Sequence, residues 1–253
     1  MKNFLQRGEG SPGKLLLFSL LLSALLLCAG CGPDEESLSA GELFRGEKLL
    51  LQDASGREYS EIRVQLSQSF YEQLATALFG EQAGEKPEEQ ELCRKISLAL
   101  QEISADFVAQ SRSGDEAGSQ AEPGYSASHQ MELFLYYAGP EMISIRAELY
   151  DAVQGAAHPS LRQRAYNFDA AGNPLPLSAL MGGAYPEAAF SAILEDLENR
   201  GELGNYYPEL EQLLREGFAE DKWCANAEQI CLLYDPYEIA AYAMGALEFP
   251  LPR

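Results

Sequence analysis

The apolar positions of this chain fall into three regimes. The first is a continuous run, Leu15 to Ala29, about fifteen residues long and preceded by the basic residues Lys2, Arg7 and Lys14. A run of that length suits a secretory core and falls short of the roughly 20 residues that a bilayer span needs. The second regime has a period near four. Ile62, Val64 and Leu66 mark a short strand by alternation, then Phe70, Leu74 and Leu78 repeat every four residues and stop at Gly80, which predicts a helix. After a polar connection over 82–90, Leu92, Ile96, Leu100, Ile103 and Phe107 line one face of a longer helix. Residues 111–128 are rich in Ser, Gly and acidic side chains and read as a mobile loop.

In the third regime the period drops to two. Met131–Tyr137 and Met142–Tyr150 read as strands joined at Ala138-Gly139-Pro140. In the second of them Ile143, Ile145, Ala147 and Leu149 alternate with Ser144, Arg146, Glu148 and Tyr150. A third strand is expected near Leu161–Phe168, followed by a turn, Asp169–Asn173, with Gly172 in a left-handed conformation. Ser178 is the expected cap of a short helix. Pro186–Asn199 and Pro208–Phe218 read as amphipathic helices, the first closed by Gly201. A hairpin over Trp223–Tyr234 and a last strand near Leu247–Pro250 complete the chain. Helices and strands segregate, so the fold class is α+β: an antiparallel sheet with helices packed on it, preceded by a smaller α/β-type partner region. The expected divisions are a signal peptide over 1–30, an acidic tether over 31–48, the partner domain over 49–128 and the C-terminal domain over 129–253.

Charge narrows the partners. The chain carries 18 basic and 39 acidic residues, a formal net charge of −21. Without residues 1–30 the balance is 15 basic to 38 acidic. Such a surface argues against nucleic acid and anionic lipid, and steers cationic partners inward with a reach that salt shortens.

Cysteines follow the compartment. An exported chain lives where disulfides persist. Cys224 and Cys231 flank Ala225–Ile230, whose apolar–polar–apolar pattern suggests a short hairpin. A turn centred between Ala227 and Glu228 sets the two opposite each other, and opposite residues of a non-hydrogen-bonded antiparallel pair are close enough to bridge. A Cys224–Cys231 disulfide is expected, with Cys93 left as a buried thiol on a helix. The cysteine and histidine spacing fits no zinc site, and no metal or cofactor is expected.

Two resemblances add to this reading. Ala29-Gly30-Cys31, small residues ending the apolar run, resembles the bacterial lipobox, with Cys28 where an aliphatic residue is usual. It implies cleavage before Cys31 and lipidation of its sulfur, hence a lipid-anchored protein at the cell membrane facing outside the cytoplasm. Further on, Tyr166-Asn167-Phe168-Asp169 with Gly172, Leu175, Leu177 and Leu180, the turn Gly155-Ala156-Ala157-His158, and the closing segment Asp235-Pro236-Tyr237-Glu238-Ile239-Ala240-Ala241-Tyr242-Ala243-Met244-Gly245 resemble the RsiV-like extracellular domain. That domain also precedes the catalytic domain of some peptidoglycan deacetylases and otherwise carries a function-unknown label. The likeness runs from Met131 to Pro252, and 48–110 resembles more loosely the small domain that usually comes before it. Ala156 and Ala241 stand where glycine and proline are usual, and the cysteine pair sits on a hairpin that usually lacks one.

In an anti-sigma factor of this kind the domain binds lysozyme outside the cell. Here only about fourteen residues precede the apolar run, so the cytoplasmic sigma-binding segment is not expected. The resemblance implies a non-catalytic binding module for an envelope or host component, lysozyme or peptidoglycan, with Gly155, His158, Tyr237 and Glu238 as candidate contacts. Glu238 has a structural alternative, pairing with Arg162 or Arg164 or capping a turn, and Tyr237 and Tyr242 have one in packing against the sheet. As for catalysis, no HExxH, GxSxG, P-loop or CxxC occurs, and the histidines are His129 and His158. No catalytic residue is assigned. The alternative is a small cell-envelope hydrolase using His158 with a carboxylate, Asp169 or Glu148.

Overall fold

A hairpin opens the described chain. β1 (Gly46–Gln52) and β2 (Glu58–Leu66) pair antiparallel, and β1 begins inside the stretch expected as tether. The computed structural model describes residues 43–80, 87–121 and 124–253. Cys31, the expected signal peptide over 1–30 and the expected tether as far as residue 42 lie outside the described residues. Gly46 opens β1 at φ +114°, and a Cβ there would stand 2.4 Å from the Val64 carbonyl oxygen, so a side chain at that end of the ladder would clash with the β2 backbone.

The period-four segments form the helices they predict. α1 (Phe70–Phe79) ends at Gly80, φ +83°, and buries Phe70, Tyr71 and Leu74. α2 (Pro87–Ala121) buries Leu92, Ile96, Leu100 and Phe107. It runs on through residues 111–121, where a mobile loop was expected. The reason is tertiary. Asp115, on that last stretch, is buried against Ser60 and Tyr125, whose phenol donates to it at 2.7 Å. Gly118 faces the Tyr125 ring so closely that a Cβ would lie 2.5 Å from it. Contacts from other elements hold as helix a sequence whose own periodicity does not ask for one.

β3 (Ala127–Ala138), β4 (Met142–Val153) and β5 (Ser160–Asp169) continue the same sheet in the order β1-β2-β3-β4-β5. β2 pairs with β3 in parallel, from Ser60↔Ala127 to Leu66↔Leu133, so the sheet is mixed and runs without a break across residue 129. The described residues form one compact unit. α1 and α2 cover the face carrying Ile62, Val64, Met131, Leu133, Ile145 and Ala147.

The chain then turns at Gly172 (φ +79°) into α3 (Leu177–Met181), α4 (Tyr185–Arg200, closed by Gly201 in the left-handed conformation) and α5 (Leu210–Glu216). Ser178 lies inside α3, and Pro176 precedes the helix in extended conformation, so the cap expected from Ser178 is not made. β6 (Trp223–Ala225), β7 (Gln229–Tyr234) and β8 (Leu247–Pro252) form a second, three-stranded sheet.

Alternation in this small sheet decides its neighbours. Trp223, Ala225, Ile230, Leu232, Tyr234, Phe249 and Leu251 join Leu177, Phe190, Ile193, Leu197, Leu210 and Leu214 of the three helices in one core. The other face, Cys224, Cys231 and Leu233, meets Ala165 and Tyr136 of the large sheet. The architecture is thus helices, five strands, three strands, helices: α+β, with the second sheet between the first and the C-terminal helices.

The contact between the sheets is half polar. Arg146, buried, pairs with Glu248 at 3.1 Å and lies 5.6 Å from the Tyr136 ring centre. Ser144 donates to Asn167 at 2.7 Å, and Asn167 donates to the Trp223 carbonyl at 2.7 Å. The outer edge of β5 is also closed. Gln163 N–H donates to Asp235, Ala165 N–H to the Asp221 carbonyl and Asp169 N–H to the Asn173 carbonyl, while the Asn167 carbonyl accepts Leu175 N–H. An edge so occupied is protected from pairing with another chain.

Cys224 and Cys231 stand directly opposite, as the hairpin register predicts. The kind of pair differs from expectation. Asn226 N–H donates to the Gln229 carbonyl and Leu233 N–H to the Lys222 carbonyl, and counting inward by twos from either makes 224/231 a hydrogen-bonded pair. Such pairs sit about 5.5 Å apart at Cα, still within disulfide range. Both residues are thiols here, as is the buried Cys93. The Cys224 thiol beside it, and then burial, push the Cys231 thiol well above its ordinary range, and burial raises Cys93.

Candidate functional site

Where β7 ends, Asp235-Pro236-Tyr237-Glu238 makes a tight turn whose charged residues point inward. Asp235 accepts Gln163 N–H and an Arg164 N–H, both at 2.7 Å, and its own N–H donates to the Glu238 carboxylate at 2.7 Å. Glu238 pairs with Lys222, which also lies 3.5 Å from Asp235. Lys222 is 6 % and Asp235 7 % exposed. The partner of Glu238 is therefore Lys222. Arg164 goes to Asp221 and Asp235, and Arg162 to Asp151.

Closing the turn, Glu238 N–H donates to the Asp235 carbonyl, with Pro236 second and Tyr237 third at φ +72°. This is the pattern of a type II turn, whose third position ordinarily takes glycine. Tyr237 is the only non-glycine residue with positive φ among the described residues. For an ordinary residue that conformation costs about 1–2 kcal/mol. Tyr237 does not recover it by packing against the sheet, since it is 56 % exposed.

Its neighbours are His158, from the loop before β5, and Tyr242, from the segment that follows the turn. The His158 ring stacks on Tyr242 with centroids 3.8 Å apart and planes 23° from parallel; Tyr237 lies 5.9 Å from His158 and 5.3 Å from Tyr242, tilted by 30° and 31°. His158 Nδ1 lies 3.0 Å from the Pro159 carbonyl, which accepts, so that nitrogen carries the hydrogen; Nε2, 3.2 Å from the Tyr237 hydroxyl, then accepts in the neutral ring. Tyr242 donates to the same Pro159 carbonyl at 3.0 Å. Three rings are thus locked to one carbonyl and to each other, with Met244 exposed close by in sequence.

Of the four expected contacts, His158 and Tyr237 come together and Tyr242 joins them. Glu238 points the other way, into the ion cluster, and shapes the turn from beneath. Gly155 has φ +87° and open space around it; no contact ties it to the rings. The acid–base pair of His158 with Asp169 or Glu148 is not formed. Both ring nitrogens are taken by Pro159 and Tyr237, and Asp169 closes the far end of β5, roughly 30 Å along a strand of that length.

A second histidine cluster lies inside. His129 Nδ1 is 2.7 Å from Asp151 and Nε2 is 3.0 Å from Asp115. Asp115 also accepts from Ser60 and Tyr125, and Asp151 pairs with Arg162. At 1 % exposure for Asp115 and 8 % for His129, this is a buried tie between α2 and the sheet. Its one sequence signal is that His129 shares the inward phase of Met131 and Leu133.

An open groove of about 590 Å³ runs between α2 and β5, with Ile103, Phe168 and Leu175 as its apolar lining and Glu102, Asp106 and Asp221 at its rim. Burial pushes the Tyr166 phenol in its wall up to about 12. Among the described residues no group of three or more His, Cys, Asp or Glu side chains is arranged to hold a metal ion. No helix among them is long and apolar enough to cross a membrane.

Residues 182–253, which include the turn and Tyr242, match the model of a family described as a protein of unknown function, DUF3298. A crystal structure of a DUF3298 family member from Bacteroides fragilis aligns at 17 % identity and TM-score 0.43, covering 84 % of this chain and 91 % of that one. One of a DUF3298 family protein from Pseudomonas aeruginosa aligns at 15 % identity and TM-score 0.46, covering 84 % and 92 %. No curated protein matches this chain.

Proposed function

We propose that the protein is a lipoprotein, anchored to the cell membrane through Cys31 and facing outside the cytoplasm, whose folded part is a non-catalytic binding module for an envelope or host component, peptidoglycan or lysozyme. The observation that carries this reading is Tyr237. An exposed aromatic residue occupies a strained turn position suited to glycine, and two buried charges fix the turn beneath it. Strain of this kind persists where the surroundings over-determine it, and it clusters at ligand-binding sites. The Ala29-Gly30-Cys31 junction and the likeness of the closing segment to the RsiV-like extracellular domain point the same way. The acidic balance of the chain adds long-range attraction for a cationic partner. In the oxidising space outside the membrane Cys224 and Cys231 join as a disulfide, since the register already opposes them.

The test has two parts. Cells fed an alkyne fatty acid label the wild-type chain and leave Cys31→Ser unlabelled; equal labelling removes the anchor. The full chain in mild detergent is then mixed with peptidoglycan sacculi and, separately, with lysozyme at low and high ionic strength. Retention by either supports the module, with the lysozyme arm weakening as salt rises. Retention by neither overturns it.

A further inference from the structure

We infer that Tyr237, Tyr242 and His158 form a sugar platform, taking an uncharged pyranose ring of an envelope glycan against the exposed face of Tyr237. This rests on the binding-module reading and names the ligand class for its site.

The shape of the site comes first. Three rings lie within 31° of parallel, with centroids between 3.8 and 5.9 Å apart, and one of them is 56 % exposed. Each polar group at their edges is already engaged: the Tyr242 hydroxyl and His158 Nδ1 on the Pro159 carbonyl, and His158 Nε2 with the Tyr237 hydroxyl. The surface is set before any ligand arrives, so binding loses little side-chain entropy there.

Charge then selects the ligand. A cation docking here would want a carboxylate at the rim, but the acidic residues of the turn are turned away: Asp235 is bound to Arg164 and Gln163, and Glu238 to Lys222. What the surface offers is a flat π face bordered by a phenol hydroxyl that keeps lone pairs to accept with. A pyranose ring is the complement, one face of C–H groups to lie on the aromatic ring and equatorial hydroxyls to reach its edge. A flat aromatic surface on a strained turn, with its carboxylates buried beneath, is a poor anchor for a basic protein and a good one for a neutral sugar.

The experiment titrates the full chain in mild detergent with a neutral N-acetylglucosamine tetrasaccharide, read by ligand-observed and tyrosine-ring NMR. Saturation transfer to the sugar C–H protons and shifts at Tyr237 and Tyr242 are expected. Tyr237→Gly suits its own backbone angle, so its melting temperature stays level or rises, while its affinity for the sugar falls about tenfold. Tyr237→Trp binds at least as tightly as wild type. Leu203→Ala, an exposed apolar change elsewhere on the surface, leaves the titration unaltered. Equal sugar affinity in wild type and Tyr237→Gly, or loss of lysozyme rather than sugar binding in that variant, overturns the platform. Wild-type retention of sacculi by Tyr237→Gly removes the platform and leaves the module standing; no retention of sacculi or lysozyme by wild type removes both.

Discussion

Replacing His129 with alanine tests the buried tie between α2 and the sheet. Both ring nitrogens face carboxylate oxygens, at 2.7 Å to Asp151 and 3.0 Å to Asp115. A carboxylate accepts only, so both nitrogens donate and the ring is an imidazolium. Burial by itself pulls its pKa down, but the hydrogen bonds and charges of Asp151 and Asp115 outweigh burial and raise it. The folded value therefore lies above the unfolded value of about 6.5. His129 stabilises the fold fully below that pH, and the contribution fades as pH rises through the folded pKa. Asp151 behaves oppositely: burial pushes it up, His129 and Arg162 pull it down further, and the net is a lowered pKa. Its contribution is present above about pH 4 and is lost on acidification through the folded value.

Removing one partner of a buried ion pair costs about 3–5 kcal/mol. The low end applies here, because Asp151 keeps Arg162 and Asp115 keeps Ser60 and Tyr125. His129→Ala should therefore lose about 3 kcal/mol near pH 6, a drop in urea midpoint of roughly 1 M. Trp223, fully buried and the only tryptophan, reports the transition by fluorescence. As pH rises through the folded pKa the wild type gives up this contribution, so the gap should narrow. A gap below about 1 kcal/mol near pH 6, or one that widens as the pH is raised above it, refutes the charged-histidine account.

Thiol counting of the exported chain under denaturing, non-reducing conditions should find one free thiol, Cys93, beyond residue 31; three free thiols, or a bridge to Cys93, would show that the opposed pair is not joined. Closing so small a loop should add about 2.5 kcal/mol relative to the reduced form, measured as the difference in urea stability with and without reductant. Gly46→Ala places a methyl group 2.4 Å from the Val64 carbonyl at φ +114°, so it should destabilise by about 2 kcal/mol or more. An unchanged melting temperature would mean that the β1–β2 hairpin closes in some other way.

Much of the local structure is legible in the chain because short-range periodicity fixes which face is apolar. The run Phe70, Leu74, Leu78 becomes α1, and the alternation Ile143, Ile145, Ala147 becomes the helix-facing side of β4. The opposition of Cys224 and Cys231 follows from the short segment between them. A two-residue alternation also makes His129 inward-facing beside Met131, although the carboxylates that bind it come from residues 14 and 22 positions away.

By itself, then, the sequence determined most of the element types, the α+β class, the cysteine register and the acidic balance, since each is a property of neighbours along the chain or of bulk composition. The tertiary structure alone decided that residues 111–121 are helix, that β2 and β3 pair in parallel, and that the small sheet lies between the large one and α3–α5. It also decided the candidate site. Nothing in Asp235-Pro236-Tyr237-Glu238 says that both acidic side chains turn inward; that is set by Arg164, 71 residues away, and Lys222, 16 residues away. Only once those buried charges are paired is Tyr237 forced outward at a positive φ, against His158 from another loop. Pairing buried charges is a long-range requirement with no local signature, because an unpaired one costs several kcal/mol wherever its partner lies in the chain.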